Sequence, residues 1–428
     1  MLGCNAIPER TERIPRFGAP RGNTRTSRRS STAQGGHVTP QRGRRRRGTK
    51  AANIYDVAKK ARVSVFTVSA VINKSDQVSA ALQRRVEVAI RQLNYRPNLL
   101  ARSLAKQRTH TIGIVVPDIA NPFFPLVVRG VEDIAQKAGY STLLCNSDNQ
   151  REKEEHYLEL LLSKRVDGIL LTMAPGRLTP WLQRMLAEVK VPLVLVMRTS
   201  KDLKTDAVLT DDYKGAFEAV AHLARIGHRR IALVSGPLGV SNGTARWKGY
   251  REALEANGLT CDPDLIAEGD YRTESGHRAG LTLLPRRPDA VFVANYLMTV
   301  GFMQAANEME MRCPEDFGLV SFDDYPWLRC FRPRLTTIEL PKYELGAKSA
   351  QLLLKRISGM QGRSTVQKLE PQLRVRESCG FTLHLRNVDR KVFPHDSQKG
   401  KELDVASRPT LIREKLADDQ PAATLTRD

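Results

Sequence analysis

Ile54-Tyr55-Asp56-Val57-Ala58-Lys59-Lys60-Ala61-Arg62-Val63-Ser64-Val65-Phe66-Thr67-Val68-Ser69-Ala70-Val71-Ile72 is the stretch on which the reading of this chain turns. Ile54, Val57, Ala58 and Ala61 recur at three- and four-residue spacing, the period of one helix face, and a turn follows Ala61. A second helix begins past Ser64, with Val68, Val71 and Ile72 facing inward and Val65, Phe66, Ser69 and Ala70 on the opposite face. Two helices joined by so short a turn predict a helix-turn-helix, whose second helix enters the major groove at its start. There apolar side chains meet thymine methyls, and the hydroxyls of Thr67 and Ser69 suit phosphate contacts. The alternative is a plain three-helix bundle that uses Phe66 in its own core.

Outward from this stretch, a third amphipathic helix completes the module by Tyr95, with Ser64 and Ser79 placed to accept backbone N–H groups at helix starts. Charge supports a nucleic-acid partner. Residues 1–50 carry 13 Lys/Arg against two Asp/Glu and residues 51–108 carry 11 against three, so little of the formal charge of +22 is left for the remaining chain. Residues 1–50, ending in Arg44-Arg45-Arg46-Arg47, hold few large apolar residues and read as a disordered basic tail.

From His110 onward, short β-branched runs alternate with helical stretches: 111–116, 141–145, 168–173, 192–197, 230–235, 290–294 and 318–322. Such alternation predicts parallel sheets covered by helices. The strand, glycine-containing turn and helix near 111–140 recur in form near 230–258, which predicts two similar lobes with a cleft between them. The predicted organisation is a tail over 1–50, a DNA-binding domain over 51–97, a linker over 98–109, a two-lobed core over 110–380 and a mobile charged tail over 381–428.

The six cysteines are scattered without metal-ligand or redox spacing, which favours a reducing, cytoplasmic setting. No segment approaches the roughly 20 continuous apolar residues of a membrane span, and no apolar signal stretch opens the chain, so a soluble protein without a membrane partner is expected. Enzyme motifs are missing too: no Gly-Lys-Ser/Thr phosphate loop, no Gly-x-Ser-x-Gly elbow and no His-Glu-x-x-His. No catalytic residue, metal or cofactor is predicted.

The segments Tyr55-Asp56-Val57-Ala58, Val63-Ser64, Thr67-Val68-Ser69, Leu93-Asn94-Tyr95-Arg96-Pro97-Asn98 and Ala101-Arg102-Ser103-Leu104-Ala105 together resemble the lactose/galactose-repressor (LacI/GalR) family, over roughly residues 53–380. The resemblance implies an N-terminal all-α helix-turn-helix headpiece and an α/β, two-lobed, periplasmic-binding-protein-like core with parallel sheets. It implies an allosteric transcriptional regulator, expected to be a repressor, that binds a pseudo-palindromic operator as a homodimer. It further implies that Val65, Phe66 and Ala70 read bases, with Tyr55, Ser64, Thr67, Ser69 and Asn73 in the DNA-contacting set. Asn98–Ala105 matches a hinge helix that orders on DNA and contributes Asn98, Ala101, Arg102 and Leu104, the leucine as a minor-groove wedge. Physics agrees with that last point, because Pro97 stops the preceding helix and an eight-residue segment is too short to hold a helix alone.

In the core, Pro117-Asp118-Ile119-Ala120-Asn121-Pro122-Phe123-Phe124 places two aromatic rings at a strand-to-helix turn, at the carboxyl edge where open α/β sheets take ligands. By resemblance the effector site comprises Asn121, Phe123, Phe124, Met197, Arg198, Arg246, Phe292, Asn295, Tyr296 and Asp323. The chain departs from the family pattern at Ala70, where arginine is frequent, at Arg62, where glycine is, and at Met197 and Tyr296, where many sugar-sensing relatives carry acids. Fewer carboxylates beside Arg198 and Arg246 favour an anionic effector such as a sugar acid, by charge complementarity. A neutral sugar and a purine stay open, as does a solute-binding protein with the same core.

Overall fold

The computed structural model describes residues 52–72, 78–95, 108–188, 191–200 and 203–381. The chain divides into two compact units, 1–96 and 97–428. In the first, α1 (Ile54–Ala61) starts with a capping box. Asn53 Oδ1 accepts from the Tyr55 and Asp56 amides, and the Asp56 carboxylate accepts from the Asn53 amide at 2.9 Å. Arg62 ends α1 in the left-handed conformation (φ 51°, ψ 51°). Next, α2 (Val65–Ile72) begins at Ser64, whose Oγ accepts the Thr67 amide at 3.1 Å. The third helix, α3 (Ala80–Gln92), departs from expectation at its start, since the Ser79 side chain makes no capping bond. Its end is also set earlier than by Pro97, where Asn94 turns the chain at φ 46°. Val57, Ala58, Ala61, Val68, Val71, Val86 and Ala89 form the core of this unit. Phe66 is 79% exposed, so the bundle that consumes Phe66 internally is ruled out.

The second unit is built on two six-stranded sheets. The strands are β1 (Thr111–Val116), β2 (Ser141–Asn146), β3 (Gly168–Leu171), β4 (Leu193–Val196), β5 (Asp206–Thr210), β6 (Ile231–Ser235), β7 (Ile266–Glu268), β8 (Ala290–Val293), β9 (Gly318–Phe322), β10 (Thr336–Glu339), β11 (Val366–Leu369) and β12 (Gln372–Arg374). The first sheet runs β11-β5-β4-β3-β1-β2 and the second β12-β10-β9-β8-β6-β7. Both halves thus repeat one order, 2-1-3-4-5 in local terms, as the recurrence at 230–258 predicted. Pairing is parallel throughout except at β10–β12, which is antiparallel. Strands such as β3, β6, β8 and β9 are buried along their whole length, which is why they read as apolar runs rather than alternations.

The covering helices are α4 (Phe123–Lys137), α5 (Arg151–Ser163), α6 (Pro180–Glu188), α7 (Asp212–Arg225), α8 (Ser241–Ala256), α9 (Thr273–Leu283), α10 (Tyr296–Glu308) and α11 (Lys342–Ile357). The lobes are not consecutive in sequence. The chain leaves the first sheet after Thr210, returns after Glu339 so that α11 packs on α4 and β11 joins β5, and crosses again after Leu369. Close approach of α4 and α11 depends on Gly130 and Gly346, because a Cβ on either would collide with the opposite backbone at Tyr343 O or Val127 O. Among the described residues no helix is long and apolar enough to cross a membrane, and the five described cysteines, Cys145, Cys261, Cys313, Cys330 and Cys379, are free thiols.

Candidate effector cleft and DNA-reading surface

A cleft of about 430 Å³ of atom-free space, partly open to solvent, lies where the carboxyl ends of both sheets meet. Pro117, Asp118 and Asn121 reach it after β1, Asn149 after β2, Met197 and Arg198 after β4, Asp270, Tyr271 and Arg272 after β7, Asn295 after β8, and Asp323 after β9. Phe123 and Phe124 line it from the start of α4 in an edge-to-face pair at 5.2 Å, and Arg246 from α8. Eight of the ten residues inferred from the sequence therefore share one cavity.

Two do not line it. Phe292 is fully buried within β8 and packs on Phe322, with ring centroids 5.8 Å apart. Tyr296 turns away to an aromatic cluster with Tyr325 and Trp327, where its hydroxyl accepts from the Trp327 indole N–H at 3.1 Å. Both corrections follow from one geometry: Phe292 lies inside its strand, and Tyr296 begins the helix behind Asn295. Asp118, Asn149, Asp270, Tyr271 and Arg272 were missed. All follow strands, but β7 is only three residues long and gave no apolar run to announce the turn after it.

Arg246 is the most constrained polar group. Its Nε and Nη2 donate to Asp212 Oδ1 at 2.8 and 2.6 Å, its Nη1 donates to Ala294 O, and its guanidinium lies 3.8 Å from the Phe322 ring centroid. Burial pushes the Asp212 carboxyl above the usual carboxylate range, against the pull of Arg246 and a hydrogen bond from Thr210. Arg198 donates from Nη1 to Asn149 Oδ1 at 2.7 Å and to Met173 O at 2.9 Å. Burial pulls its guanidinium down to about 10, which leaves it charged at neutral pH. Tyr271 lies within 6.0 Å of both guanidiniums. Both ends of the Asn295 amide are engaged, Oδ1 accepting from Met298 N and Nδ2 donating to Tyr271 O, so Asn295 fixes α10 and Tyr271 in place.

Three cleft atoms are buried with no hydrogen-bond partner: Arg198 Nε, Tyr271 Oη and Asp323 Oδ1. A guanidinium donor, a hydroxyl and a carboxylate acceptor without partners thus belong to residues that line one cavity. The sequence argument for an anionic effector rested on Met197 and Tyr296 standing where relatives carry acids. Asp118, Asp270 and Asp323 line the cleft beside Arg198, Arg246 and Arg272, and Asp212 already engages Arg246, so the lining carries both signs of charge.

On the first unit, Tyr55 is 69% exposed, and Ser64 and Phe66 are exposed as well. Val65, Thr67, Ser69 and Ala70 are half-buried, and the Thr67 hydroxyl shares a 2.9 Å hydrogen bond with Ser64. Asn73, Asn98, Ala101, Arg102 and Leu104 lie outside the described residues.

Residues 53–98 match the model of bacterial regulatory proteins of the lacI family, and residues 220–379 match the periplasmic binding protein-like domain. The chain is 37% identical over 328 residues to catabolite control protein A of Priestia megaterium, covering 76% of this chain and 98% of the relative. It is 38% identical over 328 residues to the ribose operon repressor of Escherichia coli K12, covering 75% and 97%. The Lac repressor dimer bound to operator and the anti-inducer ONPF superposes with a TM-score of 0.70 at 30% identity, over 77% of this chain and 99% of that one. With a capped helix-turn-helix presenting Phe66, a two-lobed core and relatives aligned along nearly their whole length, the chain belongs to the lacI family of bacterial regulatory proteins.

Proposed function

We propose that this regulator binds a pseudo-palindromic operator as a homodimer and that a small polyhydroxyl effector, a sugar, occupies the cleft and sets operator affinity. The observation that carries the effector class is the unpartnered trio of Arg198 Nε, Tyr271 Oη and Asp323 Oδ1. A buried polar group without a partner costs about 1–3 kcal/mol, so the cleft favours a ligand that satisfies all three. Sugar hydroxyls both donate and accept, so one kind of group serves a guanidinium donor, a hydroxyl and a carboxylate acceptor. The aromatic pair Phe123–Phe124 supplies an apolar wall for a ring face. Relatives named for ribose and solved with cellobiose are consistent with this class.

The DNA-reading assignment is to Tyr55, Ser64, Val65, Phe66, Thr67, Ser69 and Ala70, with Asn73 and the segment 98–105 completing the contact. An effector that prefers one arrangement of the lobes shifts DNA affinity by its differential affinity alone, commonly about 1–3 kcal/mol. Purified protein is used to enrich duplexes from a random library, and the winner is titrated at several salt concentrations. A pseudo-palindrome with a steep salt slope is expected, and pentoses or hexoses are expected to shift its affinity. Enrichment of no sequence overturns the operator reading; a shift caused only by purines overturns the polyhydroxyl reading, and one caused only by sugar phosphates or sugar acids overturns the neutral sugar in favour of an anionic one.

A further inference from the structure

The turn that aims the recognition helix is closed by a side chain from a different helix. Arg62 adopts the left-handed conformation at the end of α1, and its amide together with that of Val63 reaches back to the carbonyls of Lys59 and Ala58. The carbonyls of Ala61 and Arg62 lie at the C-terminal, negative end of the helix dipole, where a cation is favoured. Arg85 on α3 fills that place: its Nη2 donates to Ala61 O at 2.7 Å and to Arg62 O at 3.2 Å. Val86, the next residue, is completely buried in the core of the unit and fixes the position of α3 from which Arg85 reaches. Two residues after Arg62, Ser64 starts α2, which carries Val65 and Phe66.

We propose that Arg85 is a positioning residue for operator reading: it braces the α1–α2 turn, and so the pitch of α2, and does not neutralise a DNA phosphate. The charge census of the N-terminal region counts this arginine with the DNA-attracting cations, whereas its guanidinium is engaged on two carbonyls. The proposal depends on the DNA-reading role of α2, and the two are separable. If the wild-type chain enriches no duplex sequence, the reading of α2 fails and Arg85 is not at issue.

The test compares wild type with Arg85→Gln in the full chain, on the enriched duplex and on a scrambled one, across a salt series and at a temperature where circular dichroism shows both folded. Affinity for the enriched duplex is expected to fall about tenfold, with the scrambled duplex unchanged within about twofold and the salt slope preserved. Loss on both duplexes together with a salt slope lower by about one overturns the brace in favour of a phosphate contact. Unchanged affinity on both overturns it as well. If Arg85→Gln does not fold, Arg85→Lys replaces it, since one ammonium keeps the charge but not the planar donor geometry. Reduced discrimination at an unchanged salt slope is then expected, and undiminished discrimination refutes the proposal.

Discussion

Replacing Asp212 with alanine isolates the interaction on which the cleft rests. The wild-type carboxylate takes two donors from Arg246 and one from Thr210, and the two side chains are only 4% and 2% exposed. In Asp212→Ala the guanidinium keeps the Ala294 carbonyl and the Phe322 ring but loses its counter-ion while remaining buried. Removing one partner of a buried pair costs about 3–5 kcal/mol, far more than the net worth of the intact pair, because the remaining charge is stranded. At about 2–4 °C per kcal/mol for a domain of this size, the core should melt roughly 6–20 °C lower. The assay is a thermal melt of the full chain by calorimetry, with Lys214→Ala as the control. Lys214 pairs with Glu370 at 2.7 Å, yet both are well exposed, and little change is expected there. Replacing both members of the buried pair, Asp212→Leu with Arg246→Met, should restore most of the melting temperature while abolishing effector binding, since no stranded charge remains. A single Asp212→Ala variant that melts like the Lys214→Ala control refutes the argument. So does a double variant no more stable than the single one.

Three further outcomes follow from the same structure. His222 is buried beside Cys379 Sγ at 3.4 Å, and burial, aided by Arg225 and His228, lowers its imidazole from 6.5 to about 4. Its contribution is present above pH 6.5 and is lost as pH falls from 6.5 toward 4, for a total of about 3 kcal/mol, so urea melts of wild type should steepen against pH in that window and those of His222→Gln should flatten. Phe66→Ala removes a ring that is 79% exposed, so the melting temperature should hold while affinity for the enriched duplex falls, by anisotropy, and a lowered melting temperature would contradict the assigned exposure. Gly346→Ala puts a methyl against Val127 O at the α4–α11 crossing and should cost about 1–3 kcal/mol in denaturant titration, whereas Gly359→Ala, with nothing within 4 Å of its Cβ, tests only backbone strain at φ 104°.

The headpiece was legible residue by residue because its information is local. Helical spacing in Ile54–Ala61, a short turn and an unburied Phe66 are properties of neighbours in the chain, and the structure moved only details: Ser64 caps as expected, Ser79 makes no capping bond at α3, Asn53 caps α1, and Asn94 ends α3 ahead of Pro97. In the core the sequence disclosed buried strands as apolar runs and the repetition of one lobe in the other. Strands β5, β7, β10, β11 and β12 were not among the runs read from it: β7 and β12 have only three residues, too few to set a period, and β5, β10 and β11 mix polar with apolar residues over four or five positions.

What the sequence by itself determined was the class of each module: two different periodicities, a basic N-terminal quarter and ordered motifs that mark the family. Only the tertiary structure decided how the lobes share the chain and which side chains meet. The three crossings after Thr210, Glu339 and Leu369 send β11 and α11 back to the first lobe, because burying the α4 face required a helix that the chain supplies some 200 residues later. Likewise, Arg246 looked like a free cation for a ligand until Asp212 was found against it, and Arg85, counted only within the basic charge of residues 51–108, proved to hold its guanidinium on carbonyls at the end of α1. Charge is a property of the residue, but whether that charge is available is a property of its neighbours in space, and pairing between residues 20 to 40 apart leaves no periodic mark in the sequence.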